Sequence, residues 1–378
     1  MRLSDLQTPC LVLDQGKLQR NMRRMRDHAA RLGVKFRPHG KTAKNIEIMR
    51  LALEGQFGGI AVSTLAEAEY YFAQGIRDIF YAVGIAPVKL ERVAGLIQRG
   101  ADLAVLLESR EQARLVAQQG RRSGVVIPAL IEIDSDGHRT GVTPGDSVLV
   151  EIGRLLHGDG AALRGVLTHA GISYSGRSPE EIRAIAARER DGAVQCAEAL
   201  RAAGLPCPVV SIGSTPTATF GQDCSGVTEV RTGVYMFCDL TMAGLGVCAI
   251  DEIAMSVQAS VIGHQPSKDW IITDAGFTAL SHDRRTARQK IDQGYGIVCD
   301  SDGKATDDLI VIDVYQEHGI IARRPGLAKG IDFSKFPIGS AVRILPNHAC
   351  ATATMHDRYH VVDGTREVLA VWPRAGGW

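Results

Sequence analysis

Lys41 is the residue of this sequence with the clearest capacity for covalent chemistry. It follows the first of eight strand-like segments, in the run Arg37 to Thr42. A lysine amine is a nucleophile only when deprotonated, and neighbouring cations together with partial burial lower a lysine pKa. Arg37, His39 and Lys44 would supply such a positive neighbourhood. The segment therefore indicates a lysine that forms a Schiff base.

An ordinary surface lysine in front of a helix is the alternative interpretation of this segment. Thr42 could cap a helix from Ala43 to Gln56, because a threonine hydroxyl accepts a hydrogen bond from an early helical N–H group. Lys41 alone does not decide between the two interpretations. Polar residues after the other predicted strands favour the chemical one.

These further polar residues occupy the positions where predicted strands end. In a barrel of parallel strands the active site lies at the carboxyl ends of the strands, so side chains from several strands would face one space. The residues are Arg139 after the fifth strand, His169 after the sixth, Gly213, Ser214 and Thr215 after the seventh, and Arg231, Gly233, Val234 and Tyr235 at the eighth.

The turn Gly213-Ser214-Thr215, together with Gly233 and Val234, predicts a phosphate site. Barrels commonly hold a phosphate at this position through backbone N–H groups and hydroxyls. A tight loop without a ligand is the alternative. A phosphate site opposite a Schiff-base lysine indicates pyridoxal 5'-phosphate as the cofactor.

Four side chains could contact the ring of that cofactor. His169 could stack on the ring, although a core histidine is an equally good interpretation from spacing alone. Arg231 or Tyr235 could address the ring nitrogen. Arg139 would suit the phenolic oxygen or the carboxylate of a substrate. Arginine at the end of an apolar strand is seldom buried without a partner, which favours a function for the two arginines.

The segment Pro346 to Cys350 is a candidate metal site. If it is extended, His348 and Cys350 lie on the same face, and an imidazole and a thiolate suit a borderline-soft cation, above all zinc, with manganese or another divalent metal as alternatives. A buried structural cysteine is the competing interpretation. Possible further contributors are His356, His360 and the turn Glu317-His318-Gly319.

The elements that would position the candidate residues alternate regularly from residue 14 to residue 250. Short apolar segments are separated by amphipathic stretches with helical spacing, although the last junction shows no clear helix. This alternation predicts a (β/α)8 TIM-like barrel, with a doubly wound sheet as the alternative. The predicted strands are 34–36, 59–62, 78–83, 102–107, 125–134, 163–169, 208–212 and 227–237.

A second, C-terminal β-rich domain is predicted for residues 251–378, together with residues 1–13. Extended segments separated by turns replace the alternating pattern there. The segment Cys10 to Asp14 could add an N-terminal strand to this domain, and the region Asp274 to Gly296 resembles a loop.

Composition excludes several classes of function. The 378 residues are 45% hydrophobic and 5% aromatic, with a formal net charge of +1, which gives no basic stripe and argues against nucleic acid. No apolar signal region or membrane-length apolar segment is present, so a cytoplasmic protein is expected. The eight cysteines form no CxxC pair, which argues against a disulfide framework.

Taken together, the motifs resemble the fold-type III pyridoxal phosphate enzymes, the alanine racemase-like superfamily. Within it they are most similar to the group of D-serine dehydratases, D-threo-3-hydroxyaspartate dehydratases and D-threonine aldolases. The matching segments span most of the chain: Thr8-Pro9, Asp14, Arg37 to Thr42, Glu67 to Glu69, Asp134 to Gly141, Gly213 to Thr215, Gly233 to Tyr235 and Pro346 to Cys350.

The resemblance implies that Lys41 carries the cofactor, that Tyr174 lies in a region lining the pocket, and that His348 and Cys350 bind metal. It also implies a homodimer. The His-x-Cys form is similar to zinc-dependent dehydratases, whereas D-threonine aldolases usually have His-x-Asp. The expected activity is loss of water from a D-3-hydroxy amino acid to give a 2-oxo acid and ammonia. The alternatives are a retro-aldol lyase and, less favoured, a racemase or a non-catalytic cofactor carrier.

Overall fold

The computed structural model describes residues 1–327 and 330–378. They form two compact units. The barrel unit comprises Arg24–Gly233 with Ala375–Trp378, and the strand unit comprises Met1–Arg23 with Val234–Arg374. The domain boundaries at residues 14 and 250 stay a prediction, and the limits of these compact units lie elsewhere.

In the barrel unit, strands and helices alternate as the sequence pattern predicts. Up to the end of the barrel unit they are β1 (Cys10–Asp14), α1 (Gln15–Arg31), β2 (Lys35–Pro38), α2 (Ile46–Leu53), β3 (Ile60–Val62), α3 (Leu65–Ala73), β4 (Asp78–Gly84), α4 (Leu90–Gln98), β5 (Asp102–Leu107), α5 (Arg110–Ser123), β6 (Ile127–Ile133), α6 (Val148–Leu156), β7 (Ala161–Thr168), α7 (Pro179–Ala202), β8 (Val209–Ile212), α8 (Thr215–Phe220) and β9 (Glu229–Thr232). Beyond it they are α9 (Leu240–Gly244), β10 (Met255–Gln265), β11 (Trp270–Thr273), α10 (Phe277–Leu280), β12 (Ile297–Cys299), β13 (Ala305–Val314), β14 (Gly319–Arg323), β15 (Ala341–Leu345), α11 (Ala349–Ala353), β16 (Arg358–Val362) and β17 (Ala370–Pro373).

Strands β2 to β9 form a parallel sheet that bends into a barrel. Their order is β2-β9-β8-β7-β6-β5-β4-β3. The two ends meet through a parallel bridge between His39 and Ala61, and the Gly40 N–H donates to the Ala61 carbonyl at 2.7 Å. The predicted (β/α)8 barrel is confirmed. The short helix α8 fills the junction for which the sequence showed no clear helix.

The barrel strands are apolar because both of their faces are covered. Strand β5 runs Asp-Leu-Ala-Val-Leu-Leu, and all of its residues after Asp102 are buried. Helices on the outside and neighbouring strands on the inside produce this continuous apolar pattern. The barrel interior contains a cluster formed by Ala61, Phe80, Ala104, Leu106, Leu130 and Leu167.

Helix α2 begins later than the sequence indicated. Its N-cap is Asn45, whose Oδ1 accepts a hydrogen bond from the Ile48 N–H at 2.8 Å. Thr42, the predicted cap, lies instead in the turn after β2. The expected helix from Ala43 is wrong at its start, since asparagine caps a helix at least as well as threonine and stands closer to the apolar run.

The strand unit is built on one mixed sheet. Its order is β11-β14-β13-β12-β15-β10-β1-β16-β17. A further pairing of β11 with β10 joins the first six strands of this order into a closed ring. Strand β1 lies between β10 and β16, which confirms that the N-terminal segment joins this sheet. In the described part of the chain, no helix is both long and apolar enough to span a membrane.

Candidate active site and metal site

Lys41 stands in a tight turn that follows β2. The side chain is exposed, and its backbone N–H donates to His39 Nδ1 at 3.4 Å. The preceding Gly40 lies against the ring of Tyr71, which would be 2.5 Å from a Cβ at that position. The Tyr71 hydroxyl also donates a hydrogen bond to the Gly40 carbonyl at 3.1 Å. Glycine is therefore required for the chain to bend here, and the bend presents Lys41 at the carboxyl end of the barrel.

The cations expected to surround Lys41 are largely neutralised. Arg37 is buried, and its guanidinium pairs with Glu229 at 2.9 Å and with Asp78 at 2.7 Å. Lys44 pairs with Glu67 at 3.1 Å. The structure therefore contradicts the predicted positive neighbourhood, because Arg37 and Lys44 pair with carboxylates that stand far away in the sequence.

His39 does not supply a positive charge either. Burial lowers its pKa well below the ordinary value of 6.5, and the charges of Lys41 and Arg231 lower it further. The imidazole is therefore neutral at physiological pH.

His169 follows β7, next but one to β9 in the sheet. Its Nδ1 is 2.9 Å from the Gly213 carbonyl, which accepts the hydrogen bond if Nδ1 carries the proton. Burial, followed by the charge of Lys41, lowers its pKa to about 3. The Tyr174 ring lies beside the imidazole, with a centroid distance of 6.0 Å. The structure thus brings a neutral, half-buried imidazole into the electrostatic field of Lys41.

The turn after β8 contains the three residues predicted to hold phosphate. Gly213 has φ of +135°, and a Cβ there would lie 2.3 Å from the Arg231 carbonyl. Ser214 caps α8 by accepting a hydrogen bond from the Thr217 N–H. The Thr215 hydroxyl bonds that of Thr232. The neighbouring strands β8 and β9 are thereby joined at their carboxyl ends.

The residues of this turn fit a phosphate. Within the described residues, the backbone N–H groups of Thr215 and Gly233 have no hydrogen-bond acceptor. Such groups at the ends of neighbouring parallel strands, with serine and threonine hydroxyls beside them, form the donor set that phosphate sites use. Gly233 must lack a side chain, since a Cβ would approach the Thr42 hydroxyl to 2.8 Å.

Arg231 is buried at the centre of the barrel end. Its Nη1 donates to Ser211 Oγ and its Nη2 to the Thr168 carbonyl, both at 2.7 Å. Burial lowers its pKa to about 10, and the carboxylates of Glu229 and Glu189 oppose that effect. Arg231 therefore remains positively charged near neutral pH and is held in one orientation.

Arg139 is exposed, as Lys41 is. It lies in the loop after β6, with 57% of its side chain exposed, and pairs with Glu132 at 3.1 Å. Burial raises the pKa of Glu132, whereas the charge of Arg139 lowers it. Glu132 was not predicted from the sequence, although a carboxylate inside the apolar run of β6 was the available signal.

Val234 and Tyr235 belong to the strand unit rather than to the barrel unit. Both are buried in a single 3-10 turn, Val234–Met236. Burial raises the pKa of the Tyr235 hydroxyl above its usual value. Their roles toward a cofactor stay predictions.

The predicted metal ligands lie at the start of a helix. His348 is the extended N-cap of α11 and Cys350 is in its first turn, so the condition of an extended segment from His348 to Cys350 is not met. The two side chains nevertheless hydrogen-bond each other. On its other side the imidazole bonds through Nδ1 to Asp283 Oδ2 at 2.8 Å.

The loop before β12 holds this arrangement in place. Asn347 donates from Nδ2 to the carbonyls of Asp283 and Gly294, at 3.0 and 2.6 Å. Burial lowers the pKa of His348, but the hydrogen bonds to Asp283 and Cys350 outweigh it and raise that pKa to about 10. Asp283 was not predicted as a partner, although it lies in the polar run 282–285 of the predicted loop.

The donor set fits a divalent metal with borderline-soft preferences. A carboxylate that holds one ring nitrogen of a ligating histidine is the usual support of a zinc site, and a neighbouring thiol completes two ligands. Among the described residues, no group of three or more His, Cys, Asp or Glu side chains is arranged around one metal position. His356 and His360 lie within hydrogen-bonding distance of the carbonyls of Ala279 and Leu11.

Comparison with known proteins places this architecture in a family. Residues 13–241 match the alanine racemase N-terminal domain, and residues 254–362 match a putative serine dehydratase domain. The D-threo-3-hydroxyaspartate dehydratase of Delftia sp. HT23 is 49% identical over 100% of this chain and 99% of its own length. The D-serine dehydratase of Dictyostelium discoideum is 30% identical, covering 97% and 96%.

Solved structures agree with these matches. The Delftia enzyme superimposes with a TM-score of 0.97 over the whole of both chains, and one of its mutants, 48% identical to this chain, has been solved in a metal-free form. A D-threonine aldolase from Filomicrobium marinum has a TM-score of 0.84 at 30% identity, over 99% of this chain and 96% of its own.

Proposed function

The chain belongs to the fold-type III pyridoxal phosphate enzymes, the alanine racemase-like superfamily, and we propose that it is a lyase of the D-threo-3-hydroxyaspartate dehydratase type. Its proposed reaction removes water from a D-3-hydroxy amino acid to give an enamine, and hydrolysis of the enamine by water then gives a 2-oxo acid and ammonia. The proposed cofactors are pyridoxal 5'-phosphate and a divalent metal, with zinc favoured. The 49% identity over the full length of the Delftia enzyme supports the substrate class.

The barrel residues divide the work of binding and proton transfer. When bound, pyridoxal phosphate withdraws electrons from the α-carbon of an amino acid that it holds. Lys41 would carry the cofactor, and its Nζ would accept the α-proton once a substrate has displaced it. Thr215 and Gly233 would hold the phosphate through N–H groups. Arg231, which keeps its charge, would face the ring nitrogen as a hydrogen-bond donor.

His169 and Arg139 would orient the cofactor ring and the substrate. The neutral imidazole of His169 offers a flat contact without adding a charge. Arg139, which is anchored by Glu132 and otherwise exposed, would bind the phenolic oxygen or the substrate carboxylate. A charged guanidinium binds a carboxylate through two parallel hydrogen bonds, which fixes its orientation.

The pair His348 and Cys350 is the observation that carries the choice of a dehydratase. These side chains would hold the metal, which as a Lewis acid makes a β-hydroxyl a better leaving group. Asp283 would keep the His348 ring oriented by accepting from Nδ1. The existence of a metal-free form of a close relative's mutant supports metal dependence. A retro-aldol lyase is the second candidate, supported by aldolase relatives that share 27–30% of their sequence with this chain.

Product analysis tests the proposal directly. The pure holoprotein is incubated with D-threo-3-hydroxyaspartate, D-serine and D-threonine, with and without chelator, and 2-oxo acid and glycine are both measured. Metal-dependent 2-oxo acid is expected. Glycine with an aldehyde would instead establish the retro-aldol reaction, and racemised amino acid without either product would refute both.

Two variants separate the cofactor from the metal. Lys41→Ala should abolish the long-wavelength absorption of lysine-bound cofactor, while Lys35→Ala, at the other end of β2, should retain it. Cys350→Ala should reduce metal content and elimination while leaving cofactor binding intact, and Cys224→Ala serves as its control because both thiols are partly exposed. Equal loss of cofactor and metal in Cys350→Ala would count against the metal role.

A homodimer in the cytoplasm is also proposed. The resemblance to the family supports the dimer. Light scattering on the purified protein tests the oligomeric state, and a monomeric mass with full activity would refute the dimer.

A further inference from the structure

Glu189 is a buried carboxyl group to which the sequence analysis and the proposed reaction assign no role. It lies on α7, outside the barrel strands, and is 1% exposed. Its Oε1 accepts two backbone hydrogen bonds, from the Ala170 N–H at 2.8 Å and from the Gly213 N–H at 3.0 Å. These two donors follow different strands, β7 and β8.

The two donors are direct neighbours of predicted cofactor residues. Ala170 follows His169, and Gly213 precedes Ser214. The carbonyl of the same Gly213 lies 2.9 Å from His169 Nδ1. One carboxyl oxygen and one imidazole therefore clamp the ends of β7 and β8 together, from the helix side and from the barrel side respectively.

Packing alone does not hold the turn on the helix side. A small cavity of about 20 Å³ lies there, and its lining includes Glu189, Gly213, Ala186, Ile212 and Ala218. The second oxygen, Oε2, is buried without a hydrogen-bond partner in the described part of the chain. An open cavity provides few contacts that would resist a shift of the Gly213 turn, so the Oε1 bonds carry that task.

Burial of this carboxyl group is costly, which argues that it is not incidental. Burial raises the pKa of Glu189, although a hydrogen bond with the Thr217 side chain and then the two backbone N–H groups oppose that effect. A leucine at this position of α7 would fill the same space without a polar group. The carboxyl group instead supplies an oxygen that accepts from two strand ends at once.

We propose that Glu189 is a positioning residue for the cofactor: its Oε1 fixes the spacing between His169 and the turn Gly213-Ser214-Thr215. The ring contact and the phosphate contact of one cofactor are then held at a constant separation. This inference rests on the proposed cofactor chemistry, because it assumes that these residues bind pyridoxal phosphate. A misplacement of about 1 Å in such a contact is enough to weaken binding substantially.

The test compares three variants of the full-length protein. Glu189→Ala removes the acceptor, Glu189→Gln keeps an Oε1 that can accept both N–H groups, and Ile185→Ala removes a buried side chain one turn earlier on α7. The dissociation constant of pyridoxal phosphate is measured by absorption titration, the environment of the bound phosphate by phosphorus NMR, and thermal stability by calorimetry.

Glu189→Ala should bind the cofactor roughly tenfold more weakly, with a shifted phosphorus resonance, because the two backbone hydrogen bonds to Oε1 are lost. Glu189→Gln should restore both properties. Ile185→Ala should lower the melting temperature while keeping wild-type affinity and resonance. Wild-type affinity and resonance in Glu189→Ala would overturn the inference, as would equal loss of affinity in Ile185→Ala. Failure of the unmodified protein to bind the cofactor would instead refute the proposed function.

Discussion

The ion pair between Arg37 and Glu229 gives the sharpest quantitative prediction. Both side chains are nearly fully buried, at 3% and 4% exposure, and Arg37 Nε lies 2.9 Å from both carboxylate oxygens of Glu229. The Arg37 guanidinium also stacks on the Phe80 ring at 3.6 Å. We consider the substitutions Arg37→Met, Glu229→Leu and their combination.

Each single substitution leaves one charge buried without its main partner. Removal of one member of a buried pair costs about 3–5 kcal/mol, because the remaining ion has lost its solvation as well as its partner. Arg37→Met also removes the cation–π contact, which contributes on the order of 2 kcal/mol when desolvated. Asp78 is partly exposed and partly solvated, so it does not replace Glu229 as a partner.

The double variant should be more stable than the sum of the single effects predicts. Two apolar side chains of similar volume leave neither charge buried alone, and such replacements are often nearly neutral. Urea unfolding of all four proteins gives the coupling free energy, which we expect to be at least about 2 kcal/mol. Additive effects would refute the reasoning, as would single effects below about 1 kcal/mol, which are typical of exposed pairs.

The remaining predictions concern the turn, the metal site and pH. In urea unfolding, Gly213→Ala should destabilise the protein by more than about 2 kcal/mol, since φ of +135° and the 2.3 Å approach to the Arg231 carbonyl both oppose a Cβ. The control Gly204→Ala, at φ of +76° with open space around it, should cost about 1 kcal/mol in the same assay. Asp283→Asn should weaken metal affinity by about 10- to 100-fold in a chelator competition, because the support of His348 is lost, whereas the exposed control Asp292→Asn should not change it. The cofactor-free wild-type protein should lose stability as the pH falls from 6.5 towards 3, since in that range His169 gains its proton only on unfolding. In calorimetry at a series of pH values, His169→Gln should lose less stability over this range, and an equal dependence of stability on pH in both proteins would contradict the lowered pKa of His169.

Much of the barrel could be predicted because its signals are local. The strand β5 at residues 102–107 falls at its predicted position, since the apolar residues of a strand and the residues that bound it are neighbours in sequence. Lys41 was recognisable for the same reason, as it stands directly at a strand end. The sequence pattern predicted no strand at β12 or β14, because a short segment after a turn resembles a loop until a partner strand pairs with it.

The sequence by itself determined which residue types stand at the strand ends, and hence the chemistry available to them. Only the tertiary structure decided which of those side chains have partners. Arg37 pairs with a carboxylate 192 positions away, and His348 with one 65 positions away. No local pattern encodes such pairs, because they depend on which strand ends and loops the folded backbone brings together. Burial then sets whether each charge persists, as it does for Arg231, or is lost, as it is for His169.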